Sequence, residues 1–120
     1  MEQDLKLKLE QLHQRVDNLK GQINTEEATK NAFVMPFIQI LGYDIFNPTE
    51  VIPEFICDIG TKKGEKVDYV IKKEGAPILN IECKHWRENA DAHNSQLHRY
   101  YHVSGARFGV LTNGHIYNFY

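Results

Sequence analysis

The sequence predicts one α+β domain, in which helices flank a central mixed sheet of about five strands. Two stretches with helical spacing of apolar residues open the chain, and short β-branched runs separated by turn signals follow them. Another helical stretch precedes the last two strand-like runs, so helices and strands are not in strict alternation. The length of 120 residues, 42% of them hydrophobic, suffices for a single domain with a small core.

Composition excludes several classes of protein. No stretch is apolar for long enough to cross a membrane and the N-terminus is charged, so we expect a cytoplasmic protein. Cys57 and Cys83 lie in predicted strands outside any CxxC pair, which favours buried free thiols over a zinc knuckle or a disulfide. The net charge of −2 argues against binding nucleic acid by bulk charge, but residues 61–110 carry 9 basic against 6 acidic residues. This basic half could hold phosphates, or it could be a mixed solvated surface.

Residues 1–23 are predicted to form an amphipathic helix that precedes a domain at 24–120. Its apolar side chains are spaced alternately four and three residues apart, which is a heptad pattern. The seam consists of Leu5, Leu9, Leu12, Val16, Leu19 and Ile23. The helix either packs on its own domain or forms a short coiled coil that dimerises the protein, and the sequence leaves both open.

A second helix is predicted to begin near Asn24, with Glu27 three residues later in a capping-box pattern. Pro36 should kink or locally open this helix, and Gly42 should end it. Acidic residues at 26 and 27 would favour the positive helix N-terminus, which is a sufficient structural reason for them.

The rest of the chain predicts five strands and one helix. A hairpin is expected at 54–71, starting after Pro53, and a third strand at 78–84. A helix at 91–102 precedes a strand at 107–112. Asn113-Gly114 is a strong hairpin signal, and it leads into a fifth strand at 116–120.

Charged residues at the end of the third strand suggest a site. Because side chains alternate along a strand, Glu82 and Lys84 share a face while Cys83 points with Ile81 to the other. Asp68 lies on the neighbouring strand, where it can stand beside Glu82. Two carboxylates would suit a hard cation such as Mg²⁺ or Mn²⁺, and a lysine would suit the charge of a phosphate. Ordinary surface ion pairs are the alternative.

The order of these motifs resembles a known nuclease family. Val67-Asp68, followed after thirteen intervening residues by Glu82-Cys83-Lys84, is similar to the Asp…Glu-x-Lys core of PD-(D/E)xK nucleases. With Glu26–Lys30, Leu41–Asp44 and Leu111–Gly114, residues 24–120 resemble the N-terminal nuclease domain of type I restriction enzyme R subunits, of which stand-alone bacterial and prophage relatives occur. Val67 stands where the motif's proline would be. The resemblance implies a restriction-endonuclease-like fold.

The resemblance also implies roles for individual residues. Asp68, Glu82 and the Cys83 main-chain carbonyl would bind Mg²⁺ or Mn²⁺, and Lys84 would be the catalytic lysine. Glu27, preferred over Glu26, would complete the site, and Gln96 would reach the site or the DNA. The implied function is a metal-dependent DNA endonuclease of the restriction type. Alternatives are a silent DNA-binding or assembly module and an RNA-directed nuclease. The expected partners are DNA, a second copy through the N-terminal helix, and other restriction-system subunits.

Overall fold

A computed structural model describes residues 2–59, 62–87 and 106–119, with the backbone alone for residues 2, 57–59 and 62–65. The predicted helix at 91–102 lies outside the described residues. The first helix, α1, spans Glu2–Leu19 and ends in a 3₁₀ turn at Lys20–Gln22. A second helical segment comprises α2 at Glu26–Thr29, a π-helical turn at Lys30–Val34 and α3 at Met35–Ile40.

The two ends of the second helical segment follow ordinary capping chemistry. Thr25 is its N-cap, and the Thr25 hydroxyl accepts a hydrogen bond of 3.0 Å from the Ala28 N–H. The prediction of Asn24 as the cap was therefore wrong by one residue. Gly42 follows the last turn with a φ of +97°, as expected for a residue that ends a helix in the left-handed conformation.

The π-helical turn ends two residues before Pro36, in agreement with the predicted local opening. A proline nitrogen carries no hydrogen, so the carbonyl of Ala32 loses its α-helical donor at Pro36. Arg15 of α1 donates its Nε–H to this carbonyl at 2.9 Å. The carbonyl that Pro36 leaves without its helical donor thereby forms a polar contact between α1 and the second helical segment.

Five strands form one mixed sheet in the order β1-β2-β3-β4-β5, which confirms the predicted architecture. Neighbouring strands are antiparallel except β3 and β4, which are parallel. The strands are β1 Val51–Ile59, β2 Lys62–Lys73, β3 Ala76–Cys83, β4 Phe108–Thr112 and β5 Tyr117–Phe119. Strand β1 begins before Pro53, contrary to the prediction. It tolerates the proline because it lies at the sheet edge.

The second helical segment packs on one face of the sheet and forms the main core. Val34 and Ile38 contact buried residues of β2, β3 and β4, among them Ile81 and Cys83. Ile81 and Cys83 thus face the same side, as strand alternation predicts. At the β4–β5 turn, Gly114 has a φ of +81°, and a Cβ there would lie 2.9 Å from the Phe33 Cβ. This turn therefore lies directly against the helix.

Helix α1 is attached by the C-terminal part of the heptad seam. Leu12 and Val16 are buried with Phe33 and Phe37, whereas Leu5 and Leu9 are 42% and 39% exposed. Four of the six seam residues therefore pack on the rest of the domain, and dimerisation through the helix stays a prediction. Within the described ranges, no helix has the length and apolar character needed to span a membrane.

Candidate active site

The predicted carboxylates meet where β2 and β3 separate. The pairing of these strands runs as far as Tyr69 opposite Ile81. Beyond this pair, the Cys83 N–H donates a hydrogen bond of 2.7 Å to Oδ2 of Asp68. The Asp68 side chain thus takes a position that a main-chain carbonyl would occupy in a continued ladder. This contact fixes the carboxylate of β2 against the backbone of β3.

Glu82 lies beside Asp68 in a nearly water-free position. Its residue exposure is 5%, and its Oε2 has no hydrogen-bond partner among the residues that the structure describes. Burial, followed by the charge of Asp68 and a hydrogen bond to it, raises the pKa of Glu82 to about 9, against a lowering contribution from Lys84. Two carboxyl groups in one low-dielectric site resist joint ionisation. The arrangement therefore favours a bound positive charge or a proton.

Lys30 reaches these carboxylates from the helical side. Its ammonium Nζ lies 3.4 Å from Oδ1 of Asp68 and 3.0 Å from Oε2 of Glu27, and the Lys30 side chain is only 10% exposed. Burial lowers the pKa of Lys30, but the hydrogen bond to Glu27 and the charges of Asp68 and Glu27 together raise it above its ordinary value. Lys30 is therefore a buried cation held between one sheet carboxylate and one helix carboxylate.

The two acids of α2 have different environments. The Glu27 side chain is 70% exposed and pairs with Lys30. Glu26 is half-buried, and its charge contributes to raising the pKa of both Glu82 and Cys83. The charge of Glu26 therefore acts on Glu82, whereas Glu27 forms an ion pair with Lys30.

The backbone around Lys84 is held on both sides. The Lys84 N–H donates to the Thr112 carbonyl of β4 at 2.8 Å. Two residues later, the Trp86 N–H donates to the Thr29 hydroxyl at 3.3 Å, and its indole Nε1–H donates to the Ile23 carbonyl at 3.0 Å. The side-chain amide of Asn113 in turn donates to the Trp86 carbonyl at 3.2 Å. The segment that follows β3 is thereby tied to the helices and to the β4–β5 turn.

Cys83 and Gln96 are the remaining predicted site residues, and the structure describes only the first of them. Cys83 is a free, fully buried cysteine, and burial raises the pKa of its thiol well above the ordinary value. An inert thiol leaves the main-chain carbonyl as the group that Cys83 could offer. Gln96 lies outside the described residues. Within the described part of the chain, no group of three or more His, Cys, Asp or Glu residues could by itself hold a metal ion.

Sequence reasoning missed Lys30. It lies 38 positions before Asp68, and as a lysine three residues after Glu27 it is typical of an exposed helix ion pair. One signal was available, because Lys30 lies three and four residues before Phe33 and Val34, on the apolar face of its own helix. Thr29, whose hydroxyl receives the Trp86 N–H, was missed for the same reason: its partner is distant in sequence.

Comparison with solved structures identifies the fold. One similar structure is a fragment of a proposed HsdR subunit of a type I restriction enzyme from Vibrio vulnificus YJ016, with a TM-score of 0.68 and 24% sequence identity. The match covers 81% of this chain but 21% of that one, so the chain corresponds to about a fifth of the solved chain. The likeness shows that this chain has the α+β fold of the matched part of that fragment.

The family follows from sequence. A sequence model of the type I restriction enzyme R protein N terminus matches residues 50–120, which is more than half of the chain. The chain therefore belongs to this family, and the predicted resemblance to the N-terminal domain of type I restriction enzyme R subunits is confirmed. The matched segment includes β2 with Asp68, β3 with Glu82, and Lys84 directly after β3. No curated protein matches the chain significantly.

Proposed function

We propose that the protein is a metal-dependent endonuclease that hydrolyses DNA phosphodiester bonds. The observation that carries this proposal is the pair formed by Asp68 and Glu82, in which Glu82 leaves a buried carboxylate oxygen without a described partner. A carboxylate pair of this kind is costly unless a cation compensates it. Membership of a restriction-enzyme family makes DNA the substrate of choice.

The residues present fit a hard divalent cation. Asp68 and Glu82 offer carboxylate oxygens and Cys83 offers a main-chain carbonyl, which is the donor set that Mg²⁺ and Mn²⁺ prefer. Because Mg²⁺ keeps several waters, a site with few protein ligands is adequate. A bound Mg²⁺ would lower the pKa of a water and neutralise charge on a phosphate. Glu27 was expected to complete this set, and its ion pair with Lys30 gives it a second role to be tested.

Lys84 supplies the remaining chemistry in this proposal. Its charge acts on Glu82, lowering the pKa of that carboxyl, so its ammonium belongs to the same electrostatic unit. A lysine is a compact charge that can hold an attacking water and offset the negative charge growing on a phosphate. Gln96 would contact the site or the DNA from the segment that follows, as the resemblance implies.

Cleavage of supercoiled plasmid with Mg²⁺ or Mn²⁺ tests the proposal. We expect nicked and linear products, and at least about a hundredfold slower cleavage by Lys84→Ala and Asp68→Asn. Asp68→Asn keeps an oxygen that can accept the Cys83 N–H and removes the charge. Lys20→Ala, which loses a lysine paired with Asp17 on the protein surface, is the matched control and should cleave at the normal rate.

The outcomes separate the competing functions. Cleavage that survives both site substitutions would overturn the assignment of Lys84 and Asp68. DNA binding without cleavage, together with no detectable cation binding, would favour a silent DNA-binding or assembly module. Faster cleavage of a matched RNA than of DNA would identify an RNA-directed nuclease. Mixing with other restriction-system subunits would test whether activity depends on them.

A further inference from the structure

A buried lysine beside a carboxylate pair requires a reason. Lys30 is 8% exposed, and a charged amine removed from water is costly unless it is paired. It contacts Asp68 on β2 and Glu27 on its own helix, at 3.4 Å and 3.0 Å. These contacts join the helical layer to the sheet at the point where β2 and β3 separate. Lys30 also begins the π-helical turn, a type of irregularity that is frequent at functional sites.

The position of Lys30 matters for any cation bound by Asp68. A divalent ion on the Asp68 carboxylate would lie within a few ångströms of the Lys30 ammonium, and like charges at that range repel strongly in a low-dielectric site. The shorter contact of Lys30 is to Glu27, whose side chain is 70% exposed and free to adjust. Glu27 can therefore remain paired with the Lys30 ammonium when the contact between Lys30 and Asp68 breaks.

We propose that Lys30 is a positioning residue that holds the Asp68 carboxylate while no divalent cation is bound and withdraws to Glu27 when one binds. This inference rests on the proposed metal site. It gives Glu27 a role through Lys30 instead of as a metal ligand. In the metal-free site the Lys30 ammonium then offsets the charge of Asp68, and a divalent ion must compete with this ammonium.

The proposal predicts that substitutions of Lys30 and of Glu27 change the affinity for Mn²⁺ in opposite directions. Lys30→Met keeps an unbranched side chain of similar length and removes the competing charge, so Mn²⁺ should bind on the order of tenfold more tightly. Glu27→Gln removes the negative charge of the alternative partner, so Lys30 favours Asp68 and Mn²⁺ should bind about threefold more weakly. Lys30→Arg retains the positive charge and should restore weak binding.

The double variant separates the proposal from a ligand role for Glu27. If Glu27 acts through Lys30, adding Glu27→Gln to Lys30→Met should not change the affinity further. If Glu27 is a metal ligand, the double variant should bind Mn²⁺ more weakly than Lys30→Met alone. Lys20→Met is the control, because it removes the same charge from an exposed ion pair with Asp17.

Isothermal titration calorimetry of metal-free protein with Mn²⁺ measures these affinities, and thermal unfolding with and without Mn²⁺ checks that each variant is folded. Tighter binding by Lys30→Met, with no added effect of Glu27→Gln, supports the proposal. Unchanged or weaker binding by a folded Lys30→Met, or binding by none of the variants, overturns it. Plasmid cleavage decides the proposed function separately. Cleavage with unaltered Mn²⁺ affinity in Lys30→Met would refute the role of Lys30 alone, and altered affinity without cleavage would refute the nuclease alone.

Discussion

Replacing Glu82 by glutamine should change how the stability of the protein depends on pH. The pKa of Glu82 rises from 4.5 to about 9 in the folded state, mainly through burial and secondly through Asp68. Between these values the unfolded chain releases the proton and the folded one keeps it. The contribution of Glu82 to stability is therefore complete below about pH 4.5 and is lost progressively as the pH rises towards 9.

The expected slope follows from the linkage relation. Each pH unit in this window costs about 1.4 kcal/mol, so the metal-free protein should lose roughly 3 kcal/mol between pH 6 and pH 8. For a domain of this size that loss corresponds to a fall of about 10 °C in melting temperature. Glu82→Gln has the shape of the protonated carboxyl and no proton to lose, so its profile should be flatter by this amount.

Thermal unfolding in a chelating buffer at several pH values measures both profiles. Glu10→Gln, an exposed position on α1, is the control and should follow the parent protein. Parallel profiles for the parent and Glu82→Gln would refute the assignment of Glu82 as a carboxyl that is protonated in the folded, metal-free state.

Two further predictions concern packing and assembly. Gly114→Ala should cost about 2–4 kcal/mol by chemical denaturation, since the new Cβ would lie 2.9 Å from Phe33 at a φ of +81°. Gly75→Ala has the same φ with open space around it and should cost about 1–2 kcal/mol, so equal losses would refute the packing argument. The proposed pairing of α1 helices through Leu5 and Leu9 predicts a light-scattering mass of twice 13.9 kDa, reduced to one chain by Leu9→Lys. A parent protein with the mass of one chain at micromolar concentration would contradict that pairing.

The fold was predictable because local patterns agree with it. Strand alternation correctly placed Ile81 and Cys83 on one face of β3, which is the core face in the structure, and the hairpin signal at Asn113-Gly114 lies between β4 and β5. The errors were at boundaries. Asn24 and Thr25 are both good caps, and only the hydrogen bond to Ala28 identifies Thr25. The first strand was expected to begin only after Pro53, but a strand at the sheet edge can include a proline.

The candidate site was predictable only in part. Asp68 and Glu82 could be placed side by side because both lie on neighbouring strands of one meander. Lys30 could not, because its contact with Asp68 depends on how the helix packs over the sheet. Periodicity describes the face of an element, and it says nothing of which distant residue that face will meet.

The anchors of Trp86 determine which part of the site can move. The N–H of Lys84 is hydrogen-bonded to β4, and Trp86 is hydrogen-bonded to Thr29 and Ile23. The main chain from 84 to 86 is thus held at both of its ends by hydrogen bonds to the rest of the fold. In the proposed nuclease, Lys84 would therefore adjust to a substrate by rotation of its side chain on a main chain that is held at both ends.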